Sequence, residues 1–318
     1  MDFISLYYFS EVAKDLNITK TAARLFISQQ TLSNHIQRLE KHFGAELLHR
    51  RPAMALTTAG EFVLSFAGVV AKEHTNLRDI LSDIEKQERG AIRFGASIMR
   101  GAAILPEILG PFYARYPNVD LCYADAVSSR LRPMVAQGEL DFAVVLETEA
   151  DPKLIYEHLI NDQVYLCVSE QLLVERCGAR SPEIKTRSLN GADMRDFAGL
   201  PFAMLTNYLG QQIQNLFYEA DVAPIVRFSS ANTKVAAPLC AQGLCACFLT
   251  HLTLADRLNH MPENVNIFPL LHGGRHMSQP FSLIRVKERY LSHYAKYFIE
   301  LLTQYFNMLA PINIARSV

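Results

Sequence analysis

Much that would narrow the reading is scarce in this 318-residue chain. The opening Met1-Asp2-Phe3-Ile4-Ser5 has neither a basic region nor a small-residue cleavage site, so no export signal is read there and a cytoplasmic protein is expected. The longest apolar stretches, 62–71 and 239–249, are broken by Ser, Gly or Gln and fall short of the ~20 residues of a bilayer span, so no membrane partner is expected. Six cysteines are too few for a disulfide scaffold, and each defaults to a small buried apolar side chain. No repeat of 20 to 50 residues occurs, which excludes solenoids and propellers. Neither charge sign dominates: 31 Lys+Arg face 32 Asp+Glu, so any nucleic-acid role must come from a local patch. G-x-S-x-G, G-x-x-x-x-G-K, H-E-x-x-H and the dinucleotide-binding glycine fingerprint are all missing, and Gly273-Gly274 reads as a turn. A non-enzyme without metal or cofactor is expected.

Half the residues are hydrophobic and a fifth are charged, which fits a folded chain of two or three domains. Its style changes once, near Gly90. Residues 1–88 hold a single proline, Pro52, and repeat at helical period. Leu6, Phe9, Ala13 and Leu16 line one helix face. Asn17 or Thr19 can cap a second helix that stops near Phe26. Ser28 can cap a third, with Leu32, Ile36, Leu39 and Phe43 inward and Gly44 at its end.

Between Leu47 and Thr57 the proline and two short apolar pieces suit a small two-stranded wing. From Thr58 a long helix returns, with Val63, Phe66, Val70, Leu77, Ile80 and Ile84 in a narrow stripe that only Glu73 interrupts. With no evident domain beneath it, that stripe predicts a partner helix and a dimer.

Beyond residue 90, strands and helices alternate: strands at 91–96, 119–124, 142–146, 164–168, 202–205, 225–228 and 244–249, and helices at 103–113, 130–137, 211–220, 233–242 and 290–309. Such alternation implies a largely parallel sheet with helices on its faces, here in two lobes. The stretch 176–198 has no clear period and reads as a surface excursion.

The third helix is the most informative element. Gln30, Asn34, Gln37 and Lys41 point away from its apolar stripe, flanked by Gln29, Ser33 and Arg38. Amide side chains can bond adenine edges, Arg favours guanine or phosphate, and the Ser28 and Thr31 hydroxyls suit phosphates or base edges. Between Asn17 and Arg51, six basic residues (Lys20, Arg24, Arg38, Lys41, Arg50, Arg51) face Glu40 and Glu46, the local positive patch that the whole-chain average hides. The competing reading is a solvated face of a helical bundle.

The run from Asn17 to Glu40, with Ala22-Ala23 and Ser28-Gln29, followed by Phe43-Gly44, Leu47-Leu48-His49-Arg50 and Leu56-Thr57-Thr58-Ala59-Gly60, resembles the winged helix-turn-helix of LysR-type transcriptional regulators. Leu105-Pro106, Tyr116-Pro117 and Gly138-Glu139-Leu140-Asp141 extend the resemblance along the chain. Gln30 stands where that family usually has proline and Asn34 where it often has arginine, so base preference is not carried over. Leu48 in place of a common Phe is a packing change.

The resemblance implies an α/β fold class: an N-terminal winged helix-turn-helix (1–58), a dimerising linker helix and hinge (59–90), and a two-lobed effector module like periplasmic binding proteins (91–318). Lobe one would take 91–162 and 267–318, lobe two 163–266. It implies double-stranded DNA, a small-molecule effector, self-association to a dimer and tetramer, and RNA polymerase as partners. By position after their strands, Ser97, Met99, Arg100, Ser128, Ser129, Thr206, Asn207, Thr250 and His251 are candidates to line the interlobe cleft, where helix N-termini favour anions. Any of these hydroxyls could instead simply cap its own helix. Arg100 would suit an anionic ligand.

Cys240, Cys245, Cys247 and His251 lie within twelve residues, but without a C-x-x-C and within apolar surroundings they read as core rather than as a metal or redox centre. A cysteine-based redox sensor, a solute-binding protein and a small-molecule enzyme on the two-lobed scaffold are the rival readings. The last two leave the first 88 residues without purpose.

Overall fold

A computed structural model describes residues 2–49, 53–84, 89–148, 150–231, 233–257, 261–287 and 289–318. Three helices, α1 (Phe3–Asp15), α2 (Ile18–Arg24) and α3 (Gln29–Phe43), open the chain. Each starts on a side-chain oxygen that accepts an otherwise orphan amide: Asp2 from Ser5 at 2.7 Å, Asn17 from Lys20 at 2.9 Å and Ser28 from Thr31 at 3.0 Å. Gly44, at φ 65°, closes α3.

Leu6, Phe9, Val12, Ala22, Leu32, Ile36 and Leu39 form the core of this bundle. The sequence had put Ala13, Leu16 and Phe43 inward as well. Leu16 instead takes the left-handed cap of α1 and is exposed, Ala13 is half-buried, and Phe43 lies at the exposed end of α3. Phe26 occupies the turn between α2 and α3 at φ 57° and is 96% exposed.

The wing is β1 (Leu48–His49) paired antiparallel with β2 (Ala55–Leu56). The linker helix α4 (Thr58–Ile84) starts where the Thr57 hydroxyl accepts from the Gly60 amide at 2.9 Å and donates to the Glu46 carbonyl at 2.6 Å. A Cβ on Gly60 would lie 2.1 Å from the Leu47 carbonyl oxygen, so only glycine lets α4 begin against the wing. Val63 and Ala67 are buried in the bundle core, so the first turns of α4 do rest on a domain, contrary to expectation. Further along, Phe66, Val69, Leu77 and Leu81 are exposed in the single chain.

The second module opens as expected with β3 (Gly90–Ala96), α5 (Ile98–Arg115), β4 (Val119–Asp125), α6 (Ser128–Ala136) and β5 (Phe142–Leu146). Then comes a sixteen-residue strand, β6 (Leu154–Ser169), of which the sequence had suggested only the second half. It is followed by α7 (Glu170–Cys177), α8 (Ser181–Ser188), β7 (Pro201–Leu205), α9 (Tyr208–Glu219), β8 (Ile225–Ser230), α10 (Thr233–Ala241), β9 (Ala246–Thr250) and α11 (His251–Arg257). The chain ends with β10 (Val265–Pro269), the short pair β11 (Leu271–His272) and β12 (Arg275–His276), β13 (Ser278–Val286) and α12 (His293–Leu309).

The strand order β4-β3-β5-β13-β6-β9-β7-β8, with β10 on β6, contains two parallel groups: β3 with β4 and β5, and β7 with β8 and β9. They are joined by the antiparallel pair β6 and β13, with a register shift between Phe281 and Ser282. The first half of β6 pairs with β13 and the second with β9 and β10, so one strand serves both lobes. Residues 267–269, expected in lobe one, pair with β6 in lobe two. The supposed surface excursion carries α8 and a short turn at Met194–Phe197, which bury Ile184, Met194 and Phe197 in the second lobe's core; its helical segments are too short for a period to be read.

Candidate nucleic-acid interface and interlobe cleft

Leu32, Ile36 and Leu39 fix the roll of α3, and the opposite face is open. Ser28, Gln29, Gln30, Thr31, Asn34, Gln37 and Arg38 are exposed and Ser33 is half-buried. These side chains bond mainly within the motif: Gln30 donates to Asn34 Oδ1 at 3.1 Å, Ser28 and Thr31 hydroxyls meet at 2.8 Å, and Thr19 donates to Gln29 at 3.3 Å. Such contacts hold the amides in place while their remaining donors and acceptors face outward. Arg50 and Arg51 lie outside the described residues.

The basic patch is smaller than the count implied. Arg24 pairs with Glu11 and, at 2.6 Å, with Asp15, and Lys20 reaches Asp15 at 3.4 Å. Hydrogen bonds from Arg24 hold the Asp15 carboxyl below its ordinary value. Both acids lie upstream of the window in which charges were counted, so Arg24 ties α2 to α1 rather than facing a ligand.

In the second module the strand ends point their following helices toward the crossing strands. Ser97 stands at the N-cap of α5 but makes no cap bond with its hydroxyl, and its carbonyl accepts from Tyr123 at 3.1 Å. Met99 and Arg100 are half-buried in the first turn. The Arg100 guanidinium carbon lies 3.7 Å over the Phe281 ring of β13, and burial pulls its pKa from 12.5 to about 10. Ser128 accepts from the Leu146 amide at 2.9 Å, while Ser129 is exposed.

In lobe two Thr206 and Asn207 are exposed before α9, and Asn207 caps it by accepting from Gly210. Thr250 bonds the buried Asp162, which also accepts from the Leu252 amide at 2.8 Å; burial raises the Asp162 carboxyl. His251 is a packing residue: it is 4% exposed, with Nε2 at 2.9 Å from the Leu309 carbonyl and Nδ1 at 3.4 Å from the Tyr165 hydroxyl, so neither nitrogen is open to a ligand. Arg100 and Thr250 are thus brought to one place, around Asp162, and the other candidates stay on their own lobes. Sequence reasoning missed Asp162 and the Gln279–Gln212 hydrogen bond of 3.0 Å that links β13 to α9. Their signal was a polar triplet, Asn161-Asp162-Gln163, inside an apolar run.

A family model for the LysR substrate binding domain matches residues 85–307, and one for the bacterial regulatory helix-turn-helix protein, lysR family, matches residues 3–61. The chain belongs to the LysR family. This LysR-type transcriptional regulator is 25% identical over 317 residues to the uncharacterized HTH-type regulator YcgK of Bacillus subtilis (strain 168), covering 95% of this chain and 94% of YcgK. It is 25% identical over 260 residues to YybE of the same organism, covering 81% and 85%. Its fold matches a variant of full-length OxyR from Pseudomonas aeruginosa with a TM-score of 0.65 at 18% identity, covering 100% of this chain and 99% of that one. It also matches full-length CbnR complexed with its target DNA, with a TM-score of 0.57 at 18% identity, covering 98% and 100%. No helix among the described residues is long and apolar enough to cross a membrane.

Four of the six cysteines of this LysR-family chain, Cys167, Cys240, Cys245 and Cys247, pack as core; contrary to expectation Cys122 is exposed on β4 and Cys177 is half-buried at the end of α7. Cys167 of β6 and Cys247 of β9 are direct cross-strand partners, and Cys240 of α10 joins them, all three buried. Hydrogen bonding with Cys247 and burial hold the Cys240 thiol well above its usual range, and burial pushes Cys245 to about 11. Reactivity at neutral pH requires the thiolate, which this environment disfavours.

Proposed function

We propose that residues 1–58 read double-stranded DNA by inserting the outer face of α3 into the major groove. In this reading 59–90 hold two such domains in a dimer, and 91–318 take a small effector between the two lobes, with 267–269 and the chain end at 314–318 counted in lobe two. Gln30, Asn34 and Gln37 are the base readers. Ser28, Gln29, Thr31, Ser33, Arg38, Arg50 and Arg51 serve phosphates and flanking edges. The observation that carries this is the α3 face itself: a run of polar side chains, fixed by three apolar anchors and by their own mutual hydrogen bonds, exposed among the described residues.

Ser97, Met99, Ser128, Ser129, Thr206, Asn207 and Thr250 line the effector cleft, and its occupancy acts by favouring one arrangement of a dimer or tetramer. Contact with RNA polymerase, a cytoplasmic location and the absence of catalysis complete the reading. The test is binding of the full chain to DNA upstream of its own gene. Arg50→Ala weakens all sequences alike and lowers the salt slope, whereas Asn34→Ala changes base preference at one position by about 1–3 kcal/mol. Equal losses on every sequence from both variants would refute the role of Asn34.

A further inference from the structure

After β6 and β13, the chain crosses between the lobes a third time near its C-terminal end. Helix α12 packs in the core of lobe one through Phe298, Leu302 and Phe306. Shortly after its last residue, Leu309, Ile314 is buried in a core of lobe two that also holds Tyr165, Cys167 and Ile267. Arg316 then pairs antiparallel with Ile267: the Arg316 amide reaches the Ile267 carbonyl at 3.0 Å and the Ile267 amide the Arg316 carbonyl at 2.9 Å, so the tail lies along β10. The Arg316 side chain donates to the Val265 carbonyl at 2.9 Å and to the Pro262 carbonyl at 2.6 Å, and the Val318 amide donates to Asn266 Oδ1 at 2.8 Å. Lys185 of α8 reaches both Glu170 and the Val318 carbonyl oxygen at 2.7 Å.

The connection has no slack. The Ile312 amide still donates to the Leu309 carbonyl at 3.1 Å, and Pro311 fixes its own φ, so only Asn313 separates the last turn of α12 from the buried Ile314. Asn313 is itself turned inward on the chain, its Oδ1 accepting from the Ala315 amide at 3.2 Å. His251 Nε2 of lobe two also meets the Leu309 carbonyl at 2.9 Å, but that contact can part, whereas a covalent link cannot. The crossing pair is the softer joint: β6 and β13 change register between Phe281 and Ser282, and paired strands bend at such irregularities. Beyond β10, the tail is two strand spacings from β6, about 10 Å, so it acts on that joint through a lever. We propose that residues 311–318 are a strap that limits how far the two lobes swing apart about β6 and β13. The strap sets the width of the gap between the lobes whatever that gap binds.

The experiment lengthens the strap and leaves both anchors in place. A Gly-Ser-Gly-Ser-Gly-Ser segment inserted between Ile312 and Asn313 of the full chain adds about 13 Å of flexible reach. Spin labels on Arg130→Cys in α6 and Tyr208→Cys in α9, exposed positions on opposite lobes, report the separation. The background carries Cys122→Ser and Cys177→Ser, which leaves the buried thiols, and excess unlabelled chain keeps one labelled copy in each assembly. The insertion lengthens the mean label distance by more than about 2 Å and broadens its distribution. Arg316→Ala, which removes the guanidinium bonds to the Val265 and Pro262 carbonyls, shifts the distance the same way.

The proposal fails if the insertion leaves both the mean distance and its spread as in the parent. A shift from Arg316→Ala without one from the insertion would make the tail a cover for the β10 edge and nothing more, which also overturns it. Because both anchors are kept, the inserted chain melts within about 2 °C of the parent. A fall of more than about 5 °C would show that the short connection is needed to fold lobe two rather than to position it, and the strap would be refuted on that ground.

Discussion

The two modules dispose their polar side chains in opposite ways. On α3 the amides and hydroxyls bond over three or four residues and stay exposed, as Gln30 does with Asn34. In the effector module polar groups reach across the chain and inward: Arg289 to Asp141, Leu252 to Asp162, Ser282 to Glu147. A face that must meet many DNA sequences gains from local, self-contained bonding, which sets its shape without depending on the rest of the fold. A module that must change arrangement gains from long-range ties, because those are what a ligand can make or break.

The sharpest way to test that contrast is Arg289→Ala. It strands the Asp141 carboxylate beside a buried backbone and is expected to destabilise the effector module by about 3–5 kcal/mol in denaturant titration, with the helical N-terminal module unaffected. Leu32→Ala, next in size, removes a fully buried anchor and costs about 3 kcal/mol. Its signature is loss of DNA affinity with the effector-module transition unmoved; if both transitions shift together, the modules form one cooperative unit and the contrast fails.

Gly44→Ala probes local bonding alone. A Cβ there meets nothing within 4 Å, so the cost is only the left-handed backbone at φ 65°, about 1 kcal/mol by thermal melting. The smallest effect belongs to Glu147, whose carboxyl is held below its ordinary 4.5 by the Ser282 hydroxyl, with His158 adding to it. Because the folded value is depressed, the stabilisation is present above the unfolded value and is lost as pH falls through the folded one. Ser282→Ala is therefore less stable than the parent at neutral pH, and the two converge as pH falls through the depressed folded value of Glu147 in a stability-against-pH series.

The same contrast explains what could be read from the sequence. Helix caps at Asn17 and Ser28 act on amides three residues away, and the 3.6-residue period alone exposes the α3 face, so the N-terminal fold and its candidate interface are legible. Arg24 was misjudged because its acids, Glu11 and Asp15, sit on another helix. The first half of β6 and all of β13 were missed because their partners lie more than a hundred residues away in sequence and Pro280 interrupts the second strand's pattern. The polar triplet around Asp162 could be seen, but its link to the Leu252 amide, ninety residues on, could not, since only the fold brings the two together.

The shared strands β6 and β13 also have a genetic consequence. No uninterrupted stretch of codons encodes lobe one, because its sheet needs β13 and its Phe94–Phe142 face needs Phe298 of α12. A stop codon placed anywhere between the second lobe and residue 293 therefore acts as a core deletion at the front of the module. Lobe two is not encoded in one piece either: the end of the chain returns to it, with Ile314 in its core and Arg316 bridged to Ile267, so a stop codon just before residue 314 trims the second lobe as well.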